Sequence, residues 1–221
     1  MIDRYAAVVC DWSLEVGPGT RLLVEGPLEA KALATAVAAH AWRAGAAVSV
    51  HLRPEWSGEH GLAEELAEAF DAVCEIVPSE PSLTSEPSSG LRRVCCSWPT
   101  DRTAQRQGLG TLRLAETVFS ACLLDRTDPI AAWREVAARN ERARARLGVA
   151  SRLSVAGVEL AISGAVWDHE AGRTRLPGAF VKAALPEGTL VIETSRPEVS
   201  ASLDGRELQG AIVVDGVVEA W

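Results

Sequence analysis

The sequence lacks most of the features that mark membrane, secreted and disulfide-bonded proteins. No apolar run approaches the roughly 20 residues that a membrane-spanning helix needs. The first residues include Asp3 and contain no apolar core of the kind that a signal peptide carries. The five cysteines are odd in number and show no disulfide-framework spacing. These absences predict a cytoplasmic protein whose cysteines are small, buried apolar residues.

Positive charge is also scarce, since the formal net charge is -8 at pH 7. Nucleic acids and anionic membranes are bound by surfaces rich in lysine and arginine. We therefore expect neither as a partner. One basic run, residues 139–146, lies in an alanine-rich stretch and is typical of the solvated end of a helix.

The common cofactor and nucleophile motifs are missing as well. The turn Gly17-Pro18-Gly19 lacks the third glycine of a dinucleotide fingerprint and precedes a strand. No Walker loop is present, and no serine has the flanking glycines of a nucleophile elbow. The sequence thus predicts no bound cofactor.

What is present is an alternation of apolar strand and helix patterns, with 48% hydrophobic residues to build a core. Ala-rich and Leu-rich stretches predict helices, and Gly45 stands where a helix ends. The βαβαβ order implies a parallel sheet covered by helices, an α/β fold. The predicted helices are 3–14, 29–45 and 57–70, and the predicted strands are 21–25, 46–54, 72–77 and 91–98.

The second half of the chain changes character. Residues 78–90 are rich in Pro and Ser and predict a flexible loop. Residues 101–124 are weakly helical, and Asp128 followed by Pro129 starts a clear helix. Beyond this helix, apolar and polar residues alternate, with turns at Asp204-Gly205 and Asp215-Gly216. We expect an α/β domain over 1–148 and a smaller antiparallel β region over 149–221.

Three potential metal ligands, Asp168, His169 and Glu170, stand side by side. On a strand, the two carboxylates would share one face and the histidine would take the other. Their surroundings predict the tip of a β-hairpin, where polar residues are usual. We therefore predict no metal here, although a minimal site with His51 or His60 stays open as an alternative.

Tryptophan is over-represented among the aromatic residues, with seven against one tyrosine and three phenylalanines. Tryptophan is a frequent anchor of protein interfaces. The helical positions Trp42 and Trp133 are expected in the core. Trp56, in a loop, and Trp221 are the better candidates for contacts with a partner, together with Trp167.

Several short motifs occur in the order found in one family. The chain resembles the thermophilic metallo-aminopeptidases of the AmpS and aminopeptidase T type, over most of its length. The resemblance implies an α/β domain followed by a β-rich domain, and a dimer formed through the latter. The matching residues are Tyr5-Ala6, Val16-Gly17-Pro18-Gly19, Pro27-Leu28-Glu29-Ala30, Ala44-Gly45-Ala46, Asp128-Pro129 and Ala132-Trp133.

The resemblance fails at the position that matters for catalysis. The family carries a metal-binding glutamate in a "P-x-G-E-V-F" segment, whereas this chain has Phe180 there, in "LPGAFVK". The family's other ligands come from a later part of its second domain, and the sequence ends at about that point. No family ligand carries over to any residue here. The departure predicts a shortened protein that has lost the metal site.

We therefore expect a non-catalytic, aminopeptidase-like protein that binds a peptide or partner protein, as a homodimer through the β region. Phe180 joins Trp56, Trp167 and Trp221 as a candidate binding residue. One alternative is an enzyme on the same fold, an aminopeptidase or a ring-cleaving dioxygenase, with a rearranged metal site. A second is a structural subunit that pairs with a full-length homologue.

Overall fold

The computed structural model describes residues 1–54, 69–78, 91–155, 157–194, 200–208 and 210–218. The chain forms two compact units, Met1–Trp133 with Gly172–Pro177, and Arg134–Ala171 with Gly178–Trp221. The expected boundary after residue 148 differs from this division, because the first unit ends inside a helix and includes a short later segment. Most of the predicted helix 57–70 and of the predicted loop 78–90 lies outside the described residues.

The fold is α/β, as the sequence predicts. The first unit begins with helix α1, Ile2–Ala7, and a π-helical segment, Val8–Ser13. Its other helices and the long helix shared with the second unit are α2 Lys31–Arg43, α3 Asp101–Arg106, α4 Thr111–Ala121 and α5 Pro129–Val149. Its strands are β1 Arg21–Pro27, β2 Ala47–Arg53, β3 Ala72–Val77, β4 Arg92–Ser97 and β8 Arg175–Leu176. No helix among the described residues is long and apolar enough to cross a membrane.

The five strands of the first unit form one parallel sheet in the order β2-β1-β3-β4-β8. Strand β1 lies inside the sheet, between β2 and β3, and is buried along nearly its whole length, as its apolar sequence requires. From β1 the chain moves outward to β2, and it then returns to the other side of β1 as β3. The strand order therefore reverses between β1 and β3, where doubly wound sheets bind their ligands.

The first helical stretch differs from the single helix predicted over 3–14. It changes from α to π geometry at Val8, and the Leu14 N–H donates to the carbonyl of Val9, five residues back, at 2.9 Å. Tyr5 on α1 is fully buried, and its hydroxyl lies 3.0 Å from the Ser97 carbonyl oxygen and 3.2 Å from that of Leu176. One tyrosine thus fixes α1 against the ends of β4 and β8.

Two predicted helix signals are confirmed by hydrogen bonds. Asp128 accepts a hydrogen bond from the Ala131 N–H at 3.0 Å, as an N-cap residue before Pro129 should. At the end of α2, Gly45 has φ +86° and donates its N–H to the Trp42 carbonyl at 3.0 Å.

The second unit is built mainly from short strands. They are β5 Arg152–Val155, β6 Val158–Ala161, β7 Trp167–Ala171, β9 Ala179–Leu185, β10 Gly188–Glu193, β11 Ser200–Leu203, β12 Arg206–Leu208, β13 Ile212–Val214 and β14 Val217–Val218. These strands form two antiparallel sheets, with the orders β12-β11-β10-β9-β7 and β14-β13-β5-β6.

The predicted Asp-Gly turns are confirmed as two-residue hairpin loops. Asp204-Gly205 joins β11 to β12, and Asp215-Gly216 joins β13 to β14. Both residues of each turn have positive φ, 47° and 76° in the first and 47° and 83° in the second, as a type I′ turn requires. The Asp215 carboxylate also accepts the Arg152 N–H at 2.9 Å, which fixes this hairpin against the start of β5.

The core of the second unit comes from helix α5 and the inward faces of both sheets. Ala143 and Leu147 supply the helical part, and the strands supply mainly Val, Leu and Ile, with Trp167 as the largest side chain. This packing follows from the alternating pattern beyond residue 149, because alternate residues of a strand share one face.

Close packing between β1 and β3 gives a test of the first unit's sheet. A β-carbon at Gly26 would lie 2.8 Å from both the Cβ and the carbonyl oxygen of Ile76. Gly26→Ala should therefore lower the free energy of unfolding by about 1–3 kcal/mol, as overpacking does. Gly17→Ala is the matched control, since nothing lies within 4 Å of its new methyl group. Equal urea midpoints for the two variants would contradict this packing.

Candidate functional site

A row of polar residues crosses the parallel sheet of the first unit. Glu25 on β1 is in register with His51 on β2 and with Glu75 on β3. Glu75 is in register with Cys95 on β4, and Cys95 with Arg175 on β8. Residues in register on parallel strands point to the same face of a sheet. Four of the five strands therefore add a Glu, His or Arg side chain to a single line and β4 adds the Cys95 thiol; we name this line the polar row.

The other face of the same sheet is mainly apolar, apart from Arg92 at the start of β4. At the neighbouring level it carries Val50, Val24, Cys74 and Val94, in the same strand order. Parallel sheets covered by helices are usually apolar on both faces. The polar row is thus a departure from the pattern of this fold class, confined to one face.

Burying the polar row has a free-energy cost, because charged groups lose their contact with water. Glu25 is only 1% exposed, and His51, Glu75, Cys95 and Arg175 are each half-buried. Charged groups are rarely buried unless they are paired with opposite charge or with hydrogen-bond donors. The two glutamates lie on adjacent strands, about 4.8 Å apart at the backbone. Two negative charges this close repel each other, which favours positive charge nearby.

Arginines lie near both ends of the polar row. On β2, the Arg53 Nε donates to the His51 Nε2 at 3.1 Å. On the opposite side, Arg93 and Arg175 lie close enough to Cys95 to act on its thiol. Burial raises the pKa of Cys95, and the negative charge of Glu75 raises it further, while Arg175 and Arg93 lower it. Cys95 therefore has Glu75 beside it on β3, Arg175 beside it on β8, and Arg93 two residues before it on its own strand.

The polar row lies near the carboxyl ends of the strands. Glu25 is two residues before the end of β1, and Glu75 and Cys95 are each two residues before the ends of β3 and β4. The Glu25–Glu75 pair also occupies the reversal of strand order between β1 and β3. In open α/β sheets this is the usual place for a ligand.

The three adjacent ligand types at 168–170 do not converge on one point. They lie within strand β7, which pairs with β9, so the prediction that they form the tip of a hairpin is wrong, because the connection between the two strands begins only after Ala171. The His169 Nδ1 lies 3.7 Å from the Glu141 Oε2 on α5. Glu170 is held through its backbone, because its carbonyl accepts from the Asn140 Nδ2 at 2.7 Å. On a strand the His169 ring and the Glu170 carboxylate point to opposite faces, so they have separate surroundings.

Phe180 lies between two glutamates in the second unit. On β9 it is in register with Glu170 of β7 and with Glu193 of β10. The ring is buried, and the Lys182 Nζ lies 5.8 Å from its centroid. A pair of catalytic metal ions needs several anionic or imidazole ligands. A phenyl ring beside an ammonium group does not fit such a pair.

The described part of the chain contains no group of three or more His, Cys, Asp or Glu side chains placed to hold one metal ion. Of the residues considered for a metal, His51 belongs to the first unit, and Asp168, His169 and Glu170 to the second. His60 lies outside the described residues.

The candidate binding residues are placed less favourably than the sequence suggests. Trp167 and Phe180 are both buried, which leaves little of either side chain for a partner. Trp56 and Trp221 lie outside the described residues. Trp133 is in the core, as predicted, and its Nε1 donates to the Cys122 carbonyl at 3.1 Å. The core prediction for Trp42 is wrong, because this side chain is 74% exposed on α2.

The fold described above is similar to a known one, although the sequence matches no family model and no curated protein. The solved structure of AmpT from Thermus thermophilus, an aminopeptidase, superimposes with a TM-score of 0.57 and 18% sequence identity. The match covers 96% of this chain and 68% of that chain. The chain has an aminopeptidase-like α/β fold. At this level of identity the likeness concerns the fold alone.

Sequence reasoning missed the polar row, although a signal was present. Glu25 interrupts the apolar run "RLLVEGP", and Glu75 interrupts "AVCEIV". A single carboxylate inside a buried strand is unusual, and two such strands in one sheet are more so. Nothing in the sequence indicates that β8 adds a strand to this sheet, because its two residues lie where the sequence predicts the tip of a hairpin.

The thiols give a test of how the first unit is packed. Burial raises the pKa of Cys10, Cys95 and Cys96, and it raises that of Cys122 to about 12. Because only the thiolate reacts with iodoacetamide, these four should stay unlabelled in the native protein at pH 8 and label after unfolding in urea. Mass spectrometry reads both states. Rapid labelling of Cys95 in the native protein would show that its surroundings are not those described.

Proposed function

We propose that this protein binds an extended peptide or a partner protein and has no metal-dependent peptidase activity. The observation that carries the proposal is Phe180. The resemblance aligns this position with a metal-binding glutamate, and here the ring is buried between Glu170 and Glu193 with Lys182 beside it. The aminopeptidase-like fold supports a role with peptides, and the side chains at this position support the loss of metal chemistry.

The open strand edges of the second unit support peptide binding. Strand β6 lies at the end of its sheet and pairs only with β5 among the described strands. An extended peptide binds such an edge by adding a strand to it. Val158, at the start of β6, is exposed and offers apolar contact to an added strand. We further propose that the protein is a homodimer through residues 149–221.

The loss of metal chemistry is tested with the purified full chain. After incubation with zinc, cobalt or manganese and then dialysis, we expect clearly less than one bound equivalent of each metal by mass spectrometry. Leucine p-nitroanilide should not be hydrolysed faster when metal is added. A stoichiometric metal with metal-dependent hydrolysis would overturn the proposal. Glu170→Gln and Glu193→Gln would then test this position, with the exposed Glu159→Gln as control.

Peptide binding at β6 is tested by a charge on the strand edge. A lysine on an edge strand opposes the addition of another strand. Val158→Lys should weaken the binding of peptides selected from a random peptide array by about tenfold, or about 1.4 kcal/mol. Val166→Lys changes another exposed valine, which lies outside any strand, and is the matched control. Equal binding by both variants would exclude β6 as the site.

The same samples test the oligomeric state. Sedimentation velocity at micromolar concentration should show a dimer for the unaltered protein. A monomer would contradict the homodimer and leave the peptide result to be judged separately.

A further inference from the structure

We propose that a second copy of this chain binds at the edge of the parallel sheet, with a two-fold axis between the two copies. The surface consists of strand β2 and one face of helix α2, and we name it the α2–β2 edge. It belongs wholly to the first unit. It is therefore separate from the dimer proposed through residues 149–221, and either interface can fail without the other.

Strand β2 is an edge strand without the usual protection against pairing. It lies at the end of its sheet and pairs only with β1 among the described strands. None of its seven residues is buried, whereas five of the six residues of β3 are. Edge strands commonly carry lysine or proline, which oppose the addition of another strand. The sequence of β2, "AVSVHLR", contains neither, so its edge is open to a further strand.

Helix α2 adds a line of side chains beside this strand. The line has the spacing i, i+4, i+7 and i+11, so its members share one face of the helix. The opposite face carries His40, whose Nε2 lies 2.9 Å from the Asp11 Oδ1 of the first helical stretch. Because α2 also packs on β1 and β2, the line is turned away from that stretch and toward the edge of the sheet. Its members are Lys31, Thr35, Ala38 and Trp42.

Trp42 gives this line an apolar anchor. The side chain is 74% exposed, although tryptophan is largely buried on average and is a frequent anchor of protein interfaces. On the neighbouring strand, Val50 is 48% exposed. It is in register with Val24, and Val24 with Cys74. These residues form the mainly apolar face of the sheet, so the α2–β2 edge combines an open strand with exposed apolar side chains.

The line on α2 is complementary to itself. A two-fold axis perpendicular to the sheet makes both the two β2 strands and the two α2 helices antiparallel. Lys31 of one copy then stands opposite Trp42 of the other, and Thr35 stands opposite Ala38, because both pairs have the same midpoint along the helix. An ammonium group beside an indole ring is a favourable contact. The two small residues let the helices approach, and a two-fold axis repeats each contact.

The spacing of the elements fits the same arrangement. Two paired strands lie about 4.8 Å apart. Since α2 packs on both β1 and β2, its axis lies about half a strand spacing inside β2. The two α2 axes are then about 10 Å apart, close to the distance at which helices pack. A second copy therefore satisfies the strand and covers Trp42 together, whereas a single extended peptide on β2 would leave the tryptophan uncovered.

Sedimentation velocity of the full chain over a range of concentrations tests the proposal. One strand and one helix make a small interface, and small interfaces are weak. We therefore expect the mass to double between about 1 μM and about 0.5 mM, from whichever form prevails at the lower concentration. If the dimer through residues 149–221 fails, this doubling starts from a monomer. A mass that stays constant over this range would overturn the proposal.

Single variants locate the association. Trp42→Lys sets two ammonium groups opposite each other, and Val50→Lys places a charge on the strand edge. Each should raise the dissociation constant of the doubling about tenfold or more. Leu112→Lys, which changes another apolar residue, 76% exposed on α4, is the matched control and should associate as the unaltered protein does. Equal association by Trp42→Lys, Val50→Lys and the control would show that the α2–β2 edge is not the interface.

A double variant tests the pairing across the two-fold axis. Lys31→Trp combined with Trp42→Lys exchanges the two residues, so an ammonium group again stands opposite an indole ring. The double variant should recover most of the affinity that Trp42→Lys alone loses. Both positions are exposed, and circular dichroism checks that α2 remains folded. A double variant that associates no better than Trp42→Lys would contradict the two-fold arrangement.

Discussion

The parallel register of β1 and β3 is the constraint on which the first unit depends. It sets Glu25 beside Glu75 on one face and Val24 beside Cys74 on the other. A shift of β3 by one residue would move Glu75 to the opposite face and set Cys74 or Ile76 beside Glu25. Gly26 supports this register, because no side chain fits between β1 and Ile76. The location of the polar row is therefore a consequence of strand pairing.

The buried Tyr5 of α1 fixes a helix against the same sheet. The Tyr5 hydroxyl reaches carbonyl oxygens at the ends of both β4 and β8. Strand β8 has two residues, and a strand this short has little stability by itself. Its pairing with β4 and the contact with Tyr5 hold Arg175 at the end of the polar row. The first helix and the polar row are therefore linked through β8.

The sequence was informative where a local rule decides the structure. The N-cap at Asp128, the glycine after α2 and both Asp-Gly turns depend on neighbours within a few residues, and all are confirmed. The sequence was uninformative where distant strands meet. The register that unites Glu25, Glu75 and Cys95 is set by packing across the whole sheet, and β8 comes from a segment remote in the chain. Exposure of Trp42 was missed because a tryptophan on a helix indicates burial only on average.

The strand pairing around Phe180 favours an apolar residue at this position, whatever the function of the protein. A glutamate at this position would stand between Glu170 and Glu193, three like charges in one line across three strands. Like charges directly opposite each other destabilise a sheet unless a cation neutralises them. In a metal-binding protein the metal supplies that charge.

Without a metal at this position, an apolar ring removes the repulsion and adds buried apolar area. Lys182, in register with Asp168 and close to the ring, adds positive charge to the same face. Under the proposed function, replacement of the glutamate and loss of the metal would each favour the other. The strand pairing of β7, β9 and β10 would then persist in a chain that no longer carries the chemistry, because the substitution that removes the ligand also removes the need for the cation.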